Sequence, residues 1–310
     1  MVGLKPTIRP KRPPRTDSES TLSNLPFMQP RLVDAPPKGD SWLHEIKYDG
    51  YRTQLLVDAG RARAYTRNGH DWTEKYRTIV TIAGQLPCTS AIIDGEVVVQ
   101  DEQGVSDFAA LRSAITSAPH RLVFFAFDLL HLNGHDLRDM AIEDRRDLLA
   151  DLIEGKVPIV LSQEFDGEGA DFFAAADAAG LEGIVSKRKG SRYLAGETDH
   201  WLKVKCWAEG EYDVIGVKRG DDGLPYALFA SDGKRVGAAI VSLKSKVRDQ
   251  FWSYVDEWAA DKPTVAGPRE KNATWIRPGM TATVRHLKGS DKLRHASIKA
   301  LMLPVRPSDP

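Results

Sequence analysis

The sequence predicts an α+β protein in which antiparallel sheets with flanking helices are followed by a small β-barrel. Apolar runs rich in β-branched and aromatic residues alternate with a few segments of helical periodicity. Neighbouring strand-like runs are joined by short turns, a pattern that favours antiparallel pairing. Residues 208–310 combine short strands with one clear helix, which is typical of a small β-barrel of the OB type.

The first part of the chain supplies the elements of the α+β domain. Residues 51–57 and 61–65 flank the dipeptide Ala59-Gly60 and predict a hairpin. Strands are also predicted at residues 91–99, 121–132, 181–187 and 201–206, and the first two are apolar enough to be central. Helices are predicted with caps at Thr73 and Ser106, and over residues 142–153 and 169–179, the last ending at Gly180.

The second part begins near Cys206. Short strands are predicted at residues 212–217, 226–230 and 281–286. The helix between them is predicted by apolar residues at i, i+4, i+7, i+8 and i+11, namely Val247, Phe251, Tyr254, Val255 and Trp258. We therefore expect three parts: a disordered basic, proline-rich arm over 1–24, an α+β domain over 25–207 and a barrel over 208–310.

Composition limits the class of protein. The chain is 42% hydrophobic and 28% charged, without an apolar run approaching the roughly 20 residues that span a bilayer. Two cysteines, Cys88 and Cys206, give no disulfide framework and fit a reducing cytoplasm. The net charge is zero, but residues 208–310 carry 17 basic and 13 acidic side chains, which allows a polyanionic partner.

Lys47 stands in the pattern K-x-D-G-x-R, followed by Asp49, Gly50 and Arg52. A lysine near neutral pH is protonated, with a reference pKa of about 10.4, and becomes a nucleophile only where its surroundings favour the neutral amine. Arg52 adds a fixed positive charge suited to a phosphate. An ordinary solvated hairpin turn would have the same local sequence, so the remaining segments decide between the two interpretations.

Those segments place charged groups inside or beside apolar strands. Glu96 and Glu182 lie within such strands, where a carboxylate is costly unless it binds something, and a divalent cation takes oxygen ligands. Lys203 and Lys205 are two positions apart in a predicted strand, so their side chains lie on one face. Such a pair either protects an exposed edge strand from aggregation or binds a polyanion. Arg67 lies in the turn that follows the predicted hairpin. It either belongs to a binding site or is exposed in an ordinary surface turn.

These groups together are the parts needed for nucleotidyl transfer. An amine attacks, cations hold a triphosphate, carboxylates hold a metal, and one exposed ring among Phe124, Phe125 and Phe127 stacks on a base, although an aromatic in a strand is more often core. In order, the segments resemble motifs I, Ia, III, IIIa, IV and V of the covalent nucleotidyltransferases. The segments are residues 44–52 (HEIKYDGYR), 66–69 (TRNG), 93–96 (IDGE), 127–130 (FDLL), 182–188 (EGIVSKR) and 201–205 (WLKVK).

The amino-acid sequences of these motifs resemble those of ATP-dependent DNA ligases, in particular the bacterial ligase-D type used in end joining. The resemblance implies an adenylation domain followed by an OB-fold domain, and a ligase that joins 3′-OH and 5′-phosphate ends at nicks or breaks. Lys47 would form a lysyl–AMP with ATP. AMP would then pass to the 5′-phosphate, and the 3′-OH would displace it.

The resemblance also implies a role for each matching residue. Glu45 would contact the adenine, and Phe127 would stack on it. Arg67 and Glu96 would hold the ribose, and Arg52 would lie close to the nucleotide and later the DNA 5′-phosphate. Glu182, with Glu96, would bind Mg²⁺ or Mn²⁺, and Lys203 and Lys205 would contact the α-phosphate.

Residues 293–301 resemble motif VI, with Arg294 as the residue that orients pyrophosphate. Ala296 replaces a usual proline and Ala300 a usual glycine, and a second arginine is missing, which puts the efficiency of self-adenylation in doubt. Two alternatives stay open: an RNA ligase or capping-type nucleotidyltransferase, and a non-catalytic nucleic-acid clamp.

The expected partners are nicked or broken double-stranded DNA and a Ku-like end-binding protein. We expect a stand-alone, monomeric, cytoplasmic protein associated with the nucleoid and without membrane contact.

Overall fold

A computed structural model describes residues 22–165, 167–267, 270, 272–288 and 292–303. Most of the predicted basic arm, residues 1–21, lies outside these ranges. The described strands are β1 Met28–Leu32, β2 Trp42–Ile46, β3 Tyr51–Asp58, β4 Arg61–Thr66, β5 Ser90–Val98, β6 Val123–Leu132, β7 His135–Asp136, β8 Ile159–Leu161, β9 Glu164–Phe165, β10 Gly183–Arg188, β11 Gly196–Lys205, β12 Trp207–Arg219, β13 Pro225–Ser231, β14 Lys234–Ile240, β15 Ala259–Ala260, β16 Ala273–Ile276, β17 Thr281–Leu287 and β18 Ser297–Met302. The helices are α1 Arg77–Ala83, α2 Phe108–Ser117, α3 Ile142–Ile153, α4 Gly169–Ala178 and α5 Ser245–Glu257.

Two mostly antiparallel sheets form the first part of the molecule. One has the strand order β1-β11-β10-β2-β9, and the other has the order β4-β3-β5-β6-β7 with β8 beside β6. Strand β3 contributes to two cores because its side chains alternate: Leu55 and Val57 pack with helices α1 to α3, whereas Leu56 packs between the sheets. The predicted α+β class is confirmed.

The segment from Lys47 to Gly50 connects the two sheets. Strand β2 belongs to the five-stranded sheet and β3 to the other, and the two do not pair with each other. Lys47 is therefore not part of a solvated hairpin turn. The hairpin predicted next along the chain is present as β3 and β4, with Ala59 and Gly60 both at positive φ, as a tight two-residue turn requires.

Two predicted helix caps were wrong by a few residues. Helix α1 begins only at Arg77, and the Thr73 hydroxyl instead accepts a hydrogen bond from the Ala64 backbone N–H at 3.1 Å. Helix α2 is capped by Asp107, whose carboxylate accepts from Ala110 N at 2.8 Å, and not by the neighbouring Ser106. An aspartate one residue further on makes the stronger cap because it is charged and faces the helix N-terminus.

The second part of the chain closes five strands into a ring. Strand β12 pairs with both β13 and β17, and β13, β14, β18 and β17 follow one another around the circle. Helix α5 connects β14 to the later strands and packs Phe251 and Val255 into the barrel core. This closed ring is consistent with the small β-barrel of the OB type that the sequence predicts.

The passage between the two parts is short. Strand β11 ends at Lys205 and β12 begins at Trp207, so the predicted boundary at residues 207 and 208 falls at the start of β12. Within the described residues, none of the helices is both long enough and apolar enough to cross a membrane.

Candidate active site

A cleft of about 570 Å³ lies between the two sheets and the barrel segment that connects β17 to β18. Its volume is that of a site for a small molecule or cofactor. Every site residue that the sequence predicts lines it: Glu45, Lys47, Arg52, Arg67, Glu96, Phe127, Glu182, Lys203, Lys205 and Arg294. The structure therefore brings together ten residues that are spread over most of the chain.

Lys47 lies where the chain crosses between the sheets. Its backbone N–H donates to the Gly183 carbonyl at 3.0 Å, which fixes the crossing against the start of β10. Its Nζ lies 2.7 Å from Oε2 of Glu182, and the lysine side chain is 21% exposed against 7% for the glutamate. The amine thus faces the cleft while its carboxylate partner is buried beneath it.

Glu96 and Glu182 are two carboxylates near the same amine. Burial raises the pKa of Glu96 to about 8, Lys47 and Arg52 oppose the shift, and Glu182 adds to it. Glu182 Oε2 is in charge contact with Lys47 but accepts no hydrogen bond of favourable angle within the described residues. An oxygen of this kind fits a hard divalent cation.

The same region contains too few ligands for a metal site made by protein alone. Within the described ranges, no group of three His, Cys, Asp or Glu side chains is close enough to hold an ion. A cation here would need oxygens from a bound phosphate and from water, which is how Mg²⁺ is usually held beside nucleotides. Glu182 and Glu96 therefore fit a metal that arrives with its nucleotide.

Lys203 and Lys205 project from one face of β11. This strand lies between β1 and β10, so the alternative of a charged edge strand is excluded. Burial, and then the nearby charge of Lys47, lowers the pKa of both lysines, and Arg67 adds to the effect on Lys203. So many cations in one cleft repel one another unless an anion lies between them.

Asp94 fixes the orientation of the Arg52 guanidinium. Its Nη2 donates to Asp94 Oδ2 at 2.7 Å and its Nε to Oδ1 at 3.1 Å, while the Tyr193 hydroxyl donates to Oδ2 at 2.7 Å. Asp94 is fully buried. The sequence showed a carboxylate in a strand at this position, and the structure identifies it as the residue that orients the Arg52 guanidinium in the cleft.

A buried polar network surrounds Glu45. Its carboxylate accepts hydrogen bonds from Arg146 Nη1 at 2.5 Å, Lys187 Nζ at 2.9 Å and Ser162 Oγ at 3.1 Å. Lys187 Nζ also lies 4.5 Å from the centroid of the Phe127 ring. The predicted base-binding residues Glu45 and Phe127 are therefore joined by Lys187 at one end of the cleft.

Arg146 and Lys187 were not among the predicted site residues. Lys187 lies inside the segment 182–188, but the resemblance implies no role for it. For Arg146 a signal was present in the sequence, because Ile142 and Leu149 define the core-facing side of α3 and positions i+3 and i+4 from Ile142 lie on that side. Those positions are Arg145 and Arg146, and both are buried.

Arg294 reaches the cleft from the segment between β17 and β18. Its guanidinium pairs with both carboxylate oxygens of Asp49, with Nη2 2.9 Å from Oδ1, and lies 5.0 Å from the centroid of the Phe108 ring. His295 follows at φ 49° and also lines the cleft. The weakly matching motif VI thus contacts the motif that contains Lys47.

The chain is similar to several known proteins. A family described as the ATP dependent DNA ligase domain matches residues 29–205. The multifunctional non-homologous end joining protein LigD of Pseudomonas aeruginosa is 32% identical over 91% of this chain and 36% of its own length. The LigD protein of Mycobacterium tuberculosis H37Rv is 31% identical over 88% of this chain and 37% of its own length.

A solved structure of mycobacterial DNA ligase D complexed with ATP and MES is also similar. It has a TM-score of 0.57 and 28% identity, and the match covers 92% of this chain and 97% of that one. The chain therefore spans little more than a third of the two LigD relatives but nearly all of this solved ligase structure. With its family match over more than half its length, the chain belongs to the ATP-dependent DNA ligase family.

Proposed function

We propose that this protein seals breaks in double-stranded DNA through a lysyl–AMP intermediate on Lys47. The observation that carries the proposal is the position of Lys47 in a cleft of nucleotide size, 2.7 Å from buried Glu182 and facing Lys203 and Lys205. The Lys47 amine, the cations Lys203 and Lys205 and the carboxylates Glu96 and Glu182 all line this cleft. That arrangement suits in-line attack on a phosphate.

In the first step Lys47 Nζ would attack the α-phosphorus of ATP. A P–N bond forms, the P–O bond to pyrophosphate breaks, and the attacking nitrogen loses a proton. Lys203, Lys205 and Arg294 would neutralise the charge that develops on the phosphates. Glu182, with Glu96, would hold Mg²⁺ or Mn²⁺, which when bound supplies further charge neutralisation at the phosphates.

The AMP would then be transferred to DNA. A 5′-phosphate oxygen attacks the lysyl–AMP phosphorus and releases Lys47, and the 3′-OH of the neighbouring strand end then displaces AMP. Arg52, whose guanidinium donates to Asp94, would hold the 5′-phosphate. The names of the LigD relatives support end joining as the setting. The resemblance of the motifs to end-joining ligases is the basis for proposing nicked or broken DNA as the substrate and a Ku-like protein as the recruiting partner.

The decisive experiment is labelling with α-labelled ATP in the presence of Mg²⁺ or Mn²⁺. The native protein should acquire covalent AMP and then seal nicked DNA, and Lys47→Ala should do neither while still binding DNA. Lys38→Ala is the matched control, because Lys38 is exposed and does not line the cleft. Labelling of Lys47→Ala would mean that another residue carries the chemistry.

The same assay separates the alternatives. Labelling from GTP in preference to ATP would indicate a capping-type nucleotidyltransferase, and sealing of nicked RNA in preference to DNA would indicate an RNA ligase. DNA binding by a native protein that never acquires AMP would indicate a non-catalytic clamp.

A further inference from the structure

Tyr193 lies behind the cleft, in the segment that connects β10 to β11. It is buried and does not line the cleft itself. Its backbone N–H donates to the Arg138 carbonyl at 2.8 Å, and its ring makes a T-shaped contact with Trp201, with centroids 5.8 Å apart. Because the backbone and the ring are both held, the position of the hydroxyl group is fixed as well.

The Tyr193 hydroxyl has two partners, and their chemistry decides the direction of each hydrogen bond. The Met28 backbone N–H, 3.0 Å away, can only donate, and the Asp94 carboxylate, 2.7 Å away, can only accept. The hydroxyl therefore accepts from Met28 and donates to Asp94. Burial, and then the charge of Asp94, raises the pKa of Tyr193, so the hydroxyl keeps the proton that it donates.

Asp94 shares one of its oxygens between two donors. Oδ2 accepts from the Tyr193 hydroxyl and from Arg52 Nη2, each at 2.7 Å, and Oδ1 accepts from Arg52 Nε at 3.1 Å. The side chain is fully buried, so its orientation is set by protein donors. Tyr193 is the neutral one among them, and its direction does not depend on where the guanidinium points.

Aromatic rings also lie around the Arg52 guanidinium. Three ring centroids are 5.2, 5.3 and 5.5 Å from Cζ, those of Phe27, Phe127 and Trp201. Rings attract a cation through their faces, but they offer no acceptor atom that would fix its rotation. The two-point pair with Asp94 is therefore what sets the direction of the guanidinium.

We propose that Tyr193 is a positioning residue for the transfer of AMP to DNA. Acting through Asp94, it holds the Arg52 guanidinium in the direction that receives the 5′-phosphate. This inference rests on the proposed function, in which Arg52 holds that phosphate. Self-adenylation does not depend on Tyr193, because Lys203 and Lys205 hold the α-phosphate of ATP in that step.

The test starts from protein that already carries α-labelled AMP on Lys47. With nicked DNA and no free ATP, a 5′-phosphate oxygen forms a bond to the labelled phosphorus, the P–N bond breaks, and the Lys47 amine regains a proton. Tyr193→Phe removes only the hydroxyl and should slow this transfer about three- to tenfold. Its rate of self-adenylation from ATP should be unchanged. Only folded protein becomes labelled, so incomplete folding would lower the amount of label and not the transfer rate.

A double-mutant comparison separates positioning from packing. Arg52→Lys keeps the positive charge but cannot form the two-point pair with Asp94. In that background Tyr193→Phe should slow the transfer no further, because no guanidinium is left to orient. Tyr212→Phe is the matched control. It removes a hydroxyl that lies 2.8 Å from His286 Nε2 in the barrel, away from the cleft, and it should leave both rates unchanged.

Three results would overturn the inference: a native transfer rate for Tyr193→Phe, an equal slowing of both steps, or a slowing of the same size in the Arg52→Lys background. A failure of the proposed function would look different. The native protein would then acquire no covalent AMP, or would keep it in the presence of nicked DNA.

Discussion

Arg294 Nη2 donates a hydrogen bond to Asp49 Oδ1 at 2.9 Å, and its Nη1 pairs with the other oxygen of the same carboxylate. The two residues are 245 positions apart in the chain. Asp49 is two residues from Lys47, so this contact ties the barrel to the segment that carries the nucleophile. A guanidinium in a two-point pair can exchange a carboxylate for a phosphate with little change in geometry.

We predict that Arg294→Ala slows self-adenylation from ATP about ten- to a hundredfold, the loss expected for a hydrogen bond to a charged group. Sealing of a nick that already carries AMP should be affected much less, because no pyrophosphate leaves in that reaction. Rates of the two reactions on the same protein preparation check this. Arg277→Ala is the control, because Arg277 lies beside Trp258 in the barrel, and it should leave both rates unchanged. Equal losses in both assays for Arg294→Ala would contradict the prediction.

Glu96 should make the stability of the free protein depend on pH. Its pKa rises from 4.5 to about 8 on folding, chiefly through burial. Between those values the folded state holds a proton that the unfolded state has lost, so the free energy of unfolding should fall as pH rises from about 4.5 to 8. Glu96→Gln, which cannot ionise, should remove this slope.

Chemical denaturation of both proteins at several pH values, without nucleotide or divalent metal, measures the difference. The quantity to compare is the free energy of unfolding of the native protein minus that of Glu96→Gln. A difference that stays constant from pH 5 to pH 8 would show that Glu96 keeps an ordinary pKa.

Asp128 and Arg145 form a fully buried ion pair behind Phe127. Arg145 donates to the two carboxylate oxygens at 2.7 and 2.8 Å, and both side chains are inaccessible to solvent. Asp128→Ala leaves the arginine charge buried and unpaired, so we expect a loss of about 3–5 kcal/mol in the free energy of unfolding. Asp136→Ala breaks the exposed pair with Arg138 and should cost at most about 1 kcal/mol. Urea denaturation of the two variants compares them directly.

The sequence predicts which residues line the cleft better than it predicts which of them contact one another. Ordered motifs identified ten cleft residues, and strand alternation put Lys203 and Lys205 on one face. The pairs Arg146–Glu45, Lys187–Glu45 and Arg294–Asp49 join residues at least 101 positions apart. Nothing local in a sequence specifies such a partner, because it depends on how two sheets and a barrel pack together.

Gly50 is a single residue whose role also depends on a distant contact that the local sequence does not specify. As part of K-x-D-G it suggested a tight turn, but its φ is not in the left-handed region. What requires glycine is space: a Cβ at this position would overlap the Val97 carbonyl oxygen and lie 2.8 Å from Val98 Cγ1. The crossing that carries Lys47 therefore lies directly against β5.

We predict that Gly50→Ala destabilises the protein by about 1–3 kcal/mol, the usual cost of overpacking a close contact. It should also slow self-adenylation, because the crossing must move away from β5 and take Lys47 out of line with Glu182. Denaturation and AMP labelling of the same variant measure both effects. Gly267→Ala is the control, since its Cβ would meet Arg235 Cβ at an ordinary 3.4 Å. Full labelling rate in a destabilised Gly50→Ala protein would mean that the position of Lys47 does not depend on this contact.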